Sequence, residues 1–149
     1  MKENIAFDMD GVTVTPLKKI VNPKGDILHA MKVSSVGYVG FGEAYFSIIY
    51  TDEVKGWKKH LRMTLNLIVP VGQVNFVIYD DREKSATRGK MMMVTLSNEN
   101  YKRLTVAPGL WLAFQGKAVG LNLLLNIADL EHDPNEAVTV GLEDIDYQW

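Results

Sequence analysis

The chain has no cysteine, which excludes a disulfide framework and a thiolate metal site and is compatible with a reducing compartment. Histidine is scarce as well: His29, His60 and His132 are the only three, too few for a catalytic metal to be expected, and no other cofactor is implied. No apolar run approaches the roughly 18 residues of a membrane span. The opening MKENIAFDMDGV lacks the apolar core of a signal peptide, so a cytoplasmic location is the expectation. Neither sign of charge dominates. Sixteen Lys and Arg face 18 Asp and Glu, for a formal charge of −2, which gives no general nucleic-acid footprint. Internal repeats, low-complexity tracts and linkers are also missing, so 149 residues read as a single domain spanning 1–149, long enough to bury a core without staples.

What is present is a succession of short β-type runs between turn signals. Lys55 to Arg82, KGWKKHLRMTLNLIVPVGQVNFVIYDDR, is the most informative. It opens with the basic cluster Lys55, Lys58, Lys59, His60 and Arg62, continues through an apolar run to a turn at Pro70-Val71-Gly72, and resumes at Val74. There Val74, Phe76 and Ile78 alternate with Asn75, Val77 and Tyr79, the period of a strand. Two strands joined by a Pro/Gly turn are predicted, with cationic groups at the entry of the first. Elsewhere Val12 to Thr15 reads as a short strand stopped by Pro16, and Asn22-Pro23-Lys24-Gly25-Asp26 as a turn. Ile27 to Val33 is a strand or a single helical turn. Glu43 to Tyr50, Met91 to Leu96, Leu104 to Ala107, Leu110 to Phe114 and Val119 to Ile127 read as strands. Asp129 to Glu136 reads as a loop, and Gly141 to Trp149 as a tail that packs late. Met91-Met92-Met93 alternates across a strand, which favours core filling over a sulfur-rich metal site. With no long 3.6-residue periodicity, the fold class expected is all-β, a sandwich or barrel with little helix.

From Asp80 onward a family pattern accumulates. Asp80-Asp81-Arg82, then S-A-T-R-G from Ser85, V-T-L-S-N-E-N from Val94 and L-T-V-A-P-G-L-W-L-A-F from Leu104 stand in order. This resembles the dTDP-4-dehydrorhamnose 3,5-epimerase family, whose members run D-L-R, S-P-T-F-G, L-S-x-E-N and I-P-x-G-F-A-H-G-F. Lys55-Gly56-Trp57-Lys58 falls where the family has R-G-L-H, Lys24 to His29 where it has R-G-x-F-x-E, and Glu43 to Ser47 near its Q-x-N-x-S strand. The resemblance covers roughly residues 15 to 135. It implies a double-stranded β-helix of the cupin (jelly-roll) type, a homodimer, and a nucleotide-sugar epimerase or isomerase of the dTDP-4-keto-6-deoxyhexose class in surface-polysaccharide sugar synthesis. It also implies a nucleotide-diphosphate site drawing on Lys24 and the Lys55–Arg62 cluster.

The departures fall on the catalytic positions. The family's basic His is Lys58 here, the His of G-F-A-H-G-F is Leu112, and the family's acidic Tyr falls near Leu125. The related ketoisomerases carry R-G-x-H-A-H at this place, and only its last His survives, as His60. Epimerisation beside a ketone needs a base for the carbon-bound proton and a group to stabilise the enolate. An imidazole titrates near neutrality, which suits His60 to the first role. Lys58 serves as a base only if neighbouring cations lower its pKa, and otherwise as a cation beside an enolate or phosphate. His60 is alternatively a histidine hydrogen-bonded at a strand entry. Lys58, His60, Arg62, Thr64 and Asn66 share one strand parity, and the resemblance turns that face into the barrel. Glu43 and Tyr45 complete the expected pocket by hydrogen bonding, and Lys24 replaces a family arginine with loss of its bidentate fork. The expected site is therefore His60 and Lys58 for catalysis, with Lys24, Glu43, Tyr45, Lys55, Arg62 and Asn66 for substrate. The alternative is a catalytically inactive sugar- or nucleotide-binding cupin.

Overall fold

The computed structural model describes residues 4–149; Met1 to Glu3, the start of the N-terminal stretch read above, lie outside them. Two five-stranded antiparallel sheets face one another and enclose the core. One sheet is built from Val12–Pro16 (β1), Glu43–Ile48 (β4), Leu65–Val71 (β6), Lys102–Val106 (β9) and Leu123–Ala128 (β11), in the order β1-β9-β6-β11-β4. The other contains Val54–His60 (β5), Gln73–Tyr79 (β7), Met91–Ser97 (β8), Trp111–Gly116 (β10) and Ala137–Thr139 (β12), in the order β12-β5-β10-β7-β8. Lys19–Ile20 (β2) and Ile27–Leu28 (β3) form a small separate hairpin. The only helical pieces among the described residues are short 3-10 turns, so the all-β jelly-roll expectation holds.

Alternation decides which side chains meet between the sheets. Val74, Phe76 and Ile78 of β7 point inward with Leu65, Leu67 and Val69 of β6, Leu104 and Val106 of β9, and Leu112 of β10. The opposite faces are not all solvated. Trp57, Val77, Trp111 and Ala113 project from the outside of the second sheet, where the tail covers them with Val140, Ile145, Tyr147 and Trp149. The methionine run obeys the same rule, with Met92 packed on the central core and Met91 on the outer cluster.

Three expectations need correction. Lys55–Val71 is not one strand but two, β5 and β6, separated by Leu61–Thr64 and placed in opposite sheets. The Pro70–Gly72 turn does not close a hairpin. Gly72, at φ +83°, carries the chain across from β6 in one sheet to β7 in the other, and a Cβ there would collide with the Leu121 carbonyl. Finally, Ile27 to Val33 forms strand only at Ile27–Leu28, and Ala137–Thr139, unassigned above, is a strand that pairs with β5.

The D-D-R and S-A-T-R-G segments form a structural knot. Asp80 is fully buried and receives Arg82 Nε at 2.9 Å on one carboxylate oxygen. Its other oxygen accepts Arg82 Nη2 at 2.9 Å, Ser85 Oγ at 2.5 Å and Thr87 Oγ1 at 2.6 Å. Arg82 Nη2 also reaches the Asp10 carbonyl at 2.6 Å and so ties the N-terminal segment to this loop. Burial pushes the Asp80 carboxyl upward, but the hydrogen bonds from Arg82, Ser85 and Thr87 outweigh it and hold it well below the ordinary carboxylate range. Its contribution to stability is therefore complete above the unfolded-chain value near 4 and is lost as pH falls below that toward the folded value. Asp80→Asn, which leaves Arg82 without its charge partner, is expected to cost about 3 kcal/mol in urea denaturation at pH 7. The deficit relative to the parent should shrink as the titration is repeated below about pH 4.

Candidate functional site

Strand β5 has an inward and an outward cationic face. Lys59 lies outside, with Nζ 2.9 Å from Asp81 Oδ1 and 4.7 Å from the centre of the Trp111 ring. Lys58 and His60 point the other way, into a cavity of about 220 Å³ between the two sheets. Lys55 lies on the same cavity, its Nζ donating to the Ile48 carbonyl at 2.7 Å and to Ser47 Oγ at 3.1 Å. Tyr45 and Ser47 of β4 and Asn126 of β11 supply the remaining polar groups, and Leu65, Leu67, Leu112, Phe114 and Leu124 the apolar lining. Among the described residues no carboxylate lines this space. A larger groove of about 320 Å³ lies between the N-terminal segment and the tail, lined by residues such as Ile5, Met91 and Tyr147, with no histidine or lysine among the described residues that line it.

The imidazole of His60 is set by a residue of the Asp129–Glu136 stretch, which the sequence predicts as a loop. A 3-10 turn, Pro134–Glu136, is capped by Asp133, whose Oδ1 accepts from the Asn135 N–H at 2.9 Å. Strand β12 follows at once and pairs with β5 in the register Ala137↔His60, which brings the preceding Glu136 beside the histidine. The Leu61 N–H donates to the Glu136 carbonyl at 2.7 Å and fixes this register. One carboxylate oxygen of the buried Glu136 meets His60 Nδ1. The other accepts the successive N–H groups of Leu61, Arg62 and Met63 at 3.1, 3.0 and 3.1 Å. Burial raises the Glu136 carboxyl, but the His60 hydrogen bond and the backbone donors outweigh it, so the group lies below its ordinary value and is ionised at neutral pH. An ionised carboxylate can only accept. His60 Nδ1 is therefore the donor, which leaves the Nε2 edge of the ring for other contacts.

Of the residues expected in the site, His60, Lys58, Tyr45 and Lys55 come together around the cavity. Four do not line it. Lys24 sits on the exposed turn between β2 and β3, and Glu43 is the first residue of the edge strand β4, paired with Ala128 and off the lining. Arg62 has a side chain 65% exposed and turned to Asp133, 3.4 Å away. Asn66 is buried on the outer face of its sheet, bonded to the Gly37 carbonyl at 3.0 Å, Arg103 Nε at 3.1 Å and Thr105 Oγ1 at 2.6 Å. Its parity fails for a physical reason: the non-strand residues Leu61–Thr64 reset the alternation, so Leu65 and Leu67 face inward in place of Asn66. The same logic applies on β11, where Leu124 and Asn126 line the cavity and Leu125, placed near the family tyrosine, does not. Asn126, Ser47 and Glu136 went unassigned. The D-P-N-E turn before A-V-T-V was a visible strand signal for the last of these, although nothing local names its partner.

The two-sheet fold around this cavity is shared with proteins of known structure. A dTDP-sugar isomerase from Desulfovibrio desulfuricans G20 superposes with a TM-score of 0.91 and 34% identity, over 95% of this chain and 92% of that one. The chain belongs to the dTDP-sugar epimerase and isomerase family. No family model matches it. A probable low-salt glycan biosynthesis epimerase of Haloferax volcanii, Agl13, is 31% identical over 100 residues, a match spanning 62% of each chain. The spore coat polysaccharide biosynthesis protein SpsL of Bacillus subtilis is 27% identical over 101 residues, covering 68% of this chain and 67% of that protein. An 18%-identical 3,5-epimerase from Legionella pneumophila, solved with dTDP-4-keto-L-rhamnose, shares the fold at a TM-score of 0.82 over 94% of this chain and 78% of its own.

Within that family frame the His60–Glu136 pair is directly testable without substrate. Long-range proton–nitrogen NMR should report His60 as the Nδ1–H tautomer, with a strongly deshielded proton. Glu136→Gln should remove that signal and cost about 1 to 3 kcal/mol of stability, because three backbone donors lose a charged acceptor. A His60 protonated at Nε2 in the parent would overturn the assignment of roles.

Proposed function

We propose that the protein epimerises or isomerises a dTDP-linked 4-keto-6-deoxyhexose in the synthesis of surface-polysaccharide sugars. The observation that carries this is the imidazole of His60, held at Nδ1 by the Glu136 carboxylate, in one cavity with Lys58. The Haloferax and Bacillus relatives, both of polysaccharide or glycan biosynthesis, support the pathway class.

The reaction follows from the groups present. His60 Nε2 takes the proton from the carbon next to the ketone, and the electron pair left behind moves onto the ketone oxygen as an enolate. The Glu136 carboxylate stabilises the imidazolium that forms, as an oriented acidic partner does in a hydrogen-bonded dyad. Lys58 places its ammonium beside the developing oxyanion, in a lining with no carboxylate to compete for it. Return of a proton from the opposite face inverts the centre, and the Tyr45 hydroxyl stands on the other sheet's wall of the same cavity. Lys55, nearer the surface, provides positive charge for the diphosphate. The loss of the family histidine at Leu112, which lines the cavity, favours a second reading in which the site binds a nucleotide sugar without turning it over.

Incubation with dTDP-4-keto-6-deoxyglucose in deuterated water separates these. The proposed enzyme exchanges carbon-bound protons at the 3 or 5 position; binding by calorimetry with no exchange above buffer identifies the binding module. His60→Asn should lower exchange by at least about 100-fold while dTDP binding survives, and Lys58→Met should slow it without abolishing it. Exchange by His60→Asn at the parental rate would remove His60 from the mechanism.

We further infer that the protein works as a homodimer in the cytoplasm, a setting compatible with a chain that has no cysteine. Strand β4 ends its sheet, and Phe41, Phe46, Ile48 and Tyr50 on and around it are exposed, an edge and apolar surface that a second copy would cover. Light scattering on a sizing column should give twice the chain mass, and Phe46→Glu should shift it toward the monomer.

A further inference from the structure

One polar group in the cavity is left over by the reaction just derived. Asn126 lies on β11, paired to Tyr45 of β4 on one side and to Leu67 of β6 on the other, and is only 3% exposed. Its Nδ2 donates to the Tyr45 phenolic oxygen at 2.8 Å. Its Oδ1 is buried and has no hydrogen-bond partner. Around it on the cavity wall stand Leu65, Leu67 and Leu124, any of which shows that an aliphatic residue fits this surface. An unpaired buried amide destabilises the free protein where a leucine would not, so its compensation belongs to the occupied site.

We propose that Asn126 reads a ring hydroxyl of the sugar, and that the pocket thereby selects keto-sugars that retain this hydroxyl over deoxy analogues. This rests on the functional reading above and specifies its substrate class. Turning the amide end for end leaves the conclusion intact. One end then still meets the Tyr45 hydroxyl and the other is still free, and a sugar hydroxyl both donates and accepts. The terminal amide torsion of asparagine is broad, which lets the free end swing from the wall toward a bound ring while the strand backbone stays fixed. Tyr45 couples this recognition to the chemistry, because the same amide that meets the hydroxyl also positions the phenol. A site that presents a buried polar group to a hydroxyl rejects the analogue lacking it much more strongly than an apolar pocket does, since the group is then stranded.

The test compares solvent-deuterium exchange on dTDP-4-keto-6-deoxyglucose with that on its 2-deoxy and 3-deoxy counterparts, for the parent and for Asn126→Leu. The parent should lose on the order of 10- to 100-fold in kcat/KM on one of the deoxy sugars. Asn126→Leu should be slower on the full sugar and nearly indifferent to the loss of that hydroxyl, a pattern that a merely structural role for Asn126 does not produce. Asn126→Ser, whose short hydroxyl cannot span the same distance, takes its place if the leucine variant does not fold. Equal kcat/KM of the parent on all three sugars overturns the proposal, as does an unchanged deoxy penalty in the variant; in either case the enzyme assignment stands. No exchange by the parent on any of them overturns both together.

Discussion

The buried carboxylate of Glu136 holds the site in one piece. It accepts three consecutive backbone N–H groups where the chain leaves β5, and its remaining oxygen fixes the tautomer of His60. The N–H groups of Arg62 and Met63 find their acceptor in this carboxylate, which therefore closes the strand end and orients the imidazole at once. Its position depends on β12, a strand of only three residues, whose register with β5 sets Glu136 one step before His60's partner. An ionised acceptor here orients the imidazole of His60, which lines the cavity between the sheets.

The break between β5 and β6 is the second constraint. Had the chain run on as one strand, Asn66 would share the face of Lys58 and His60. The Leu61–Thr64 segment instead takes the chain from one sheet to the other, and the alternation restarts with leucines inward. Asn66 then finds a different use, receiving Arg103 and Thr105 on the outer face and holding the Gly37 carbonyl there. The result is a cavity in which charge is concentrated on β5, hydrogen-bonding groups on β4 and β11, and hydrocarbon in between. Such a division suits a sugar, which offers hydroxyls at its rim and a developing oxyanion at one carbon.

The sequence motifs most specific for the family are largely scaffold. Asp80, Arg82, Ser85 and Thr87 satisfy one another around a buried carboxylate and anchor the Asp10 backbone, and none of them lines the cavity. Tyr101 plays a comparable part on the opposite sheet's side, its hydroxyl donating to the His29 carbonyl at 2.9 Å. The fold is thus held through polar knots that lie outside the cavity lining.

The all-β class, nearly every strand, the turns and the family itself were legible in the sequence, because alternation and turn chemistry are local and the ordered motifs are dense. That Lys58 and His60 share a face was legible too, since residues of one parity on one short strand point the same way, whereas Lys55, of the opposite parity, and Tyr45, on β4, reach the same cavity by routes that parity does not give. Which parity survives beyond Thr64, however, depends on a sheet crossing that no local pattern marks, and so Asn66 fell on the wrong side. Glu136 and Asn126 were invisible for a related reason: a carboxylate 76 residues from its histidine, and an amide 81 residues from its tyrosine, meet only through strand pairing. The sequence by itself determined the scaffold and named His60 as a candidate. The tertiary structure decided which ring nitrogen of His60 meets Glu136 and which polar groups the ring shares a cavity with, because both are set by long-range register and not by neighbours along the chain.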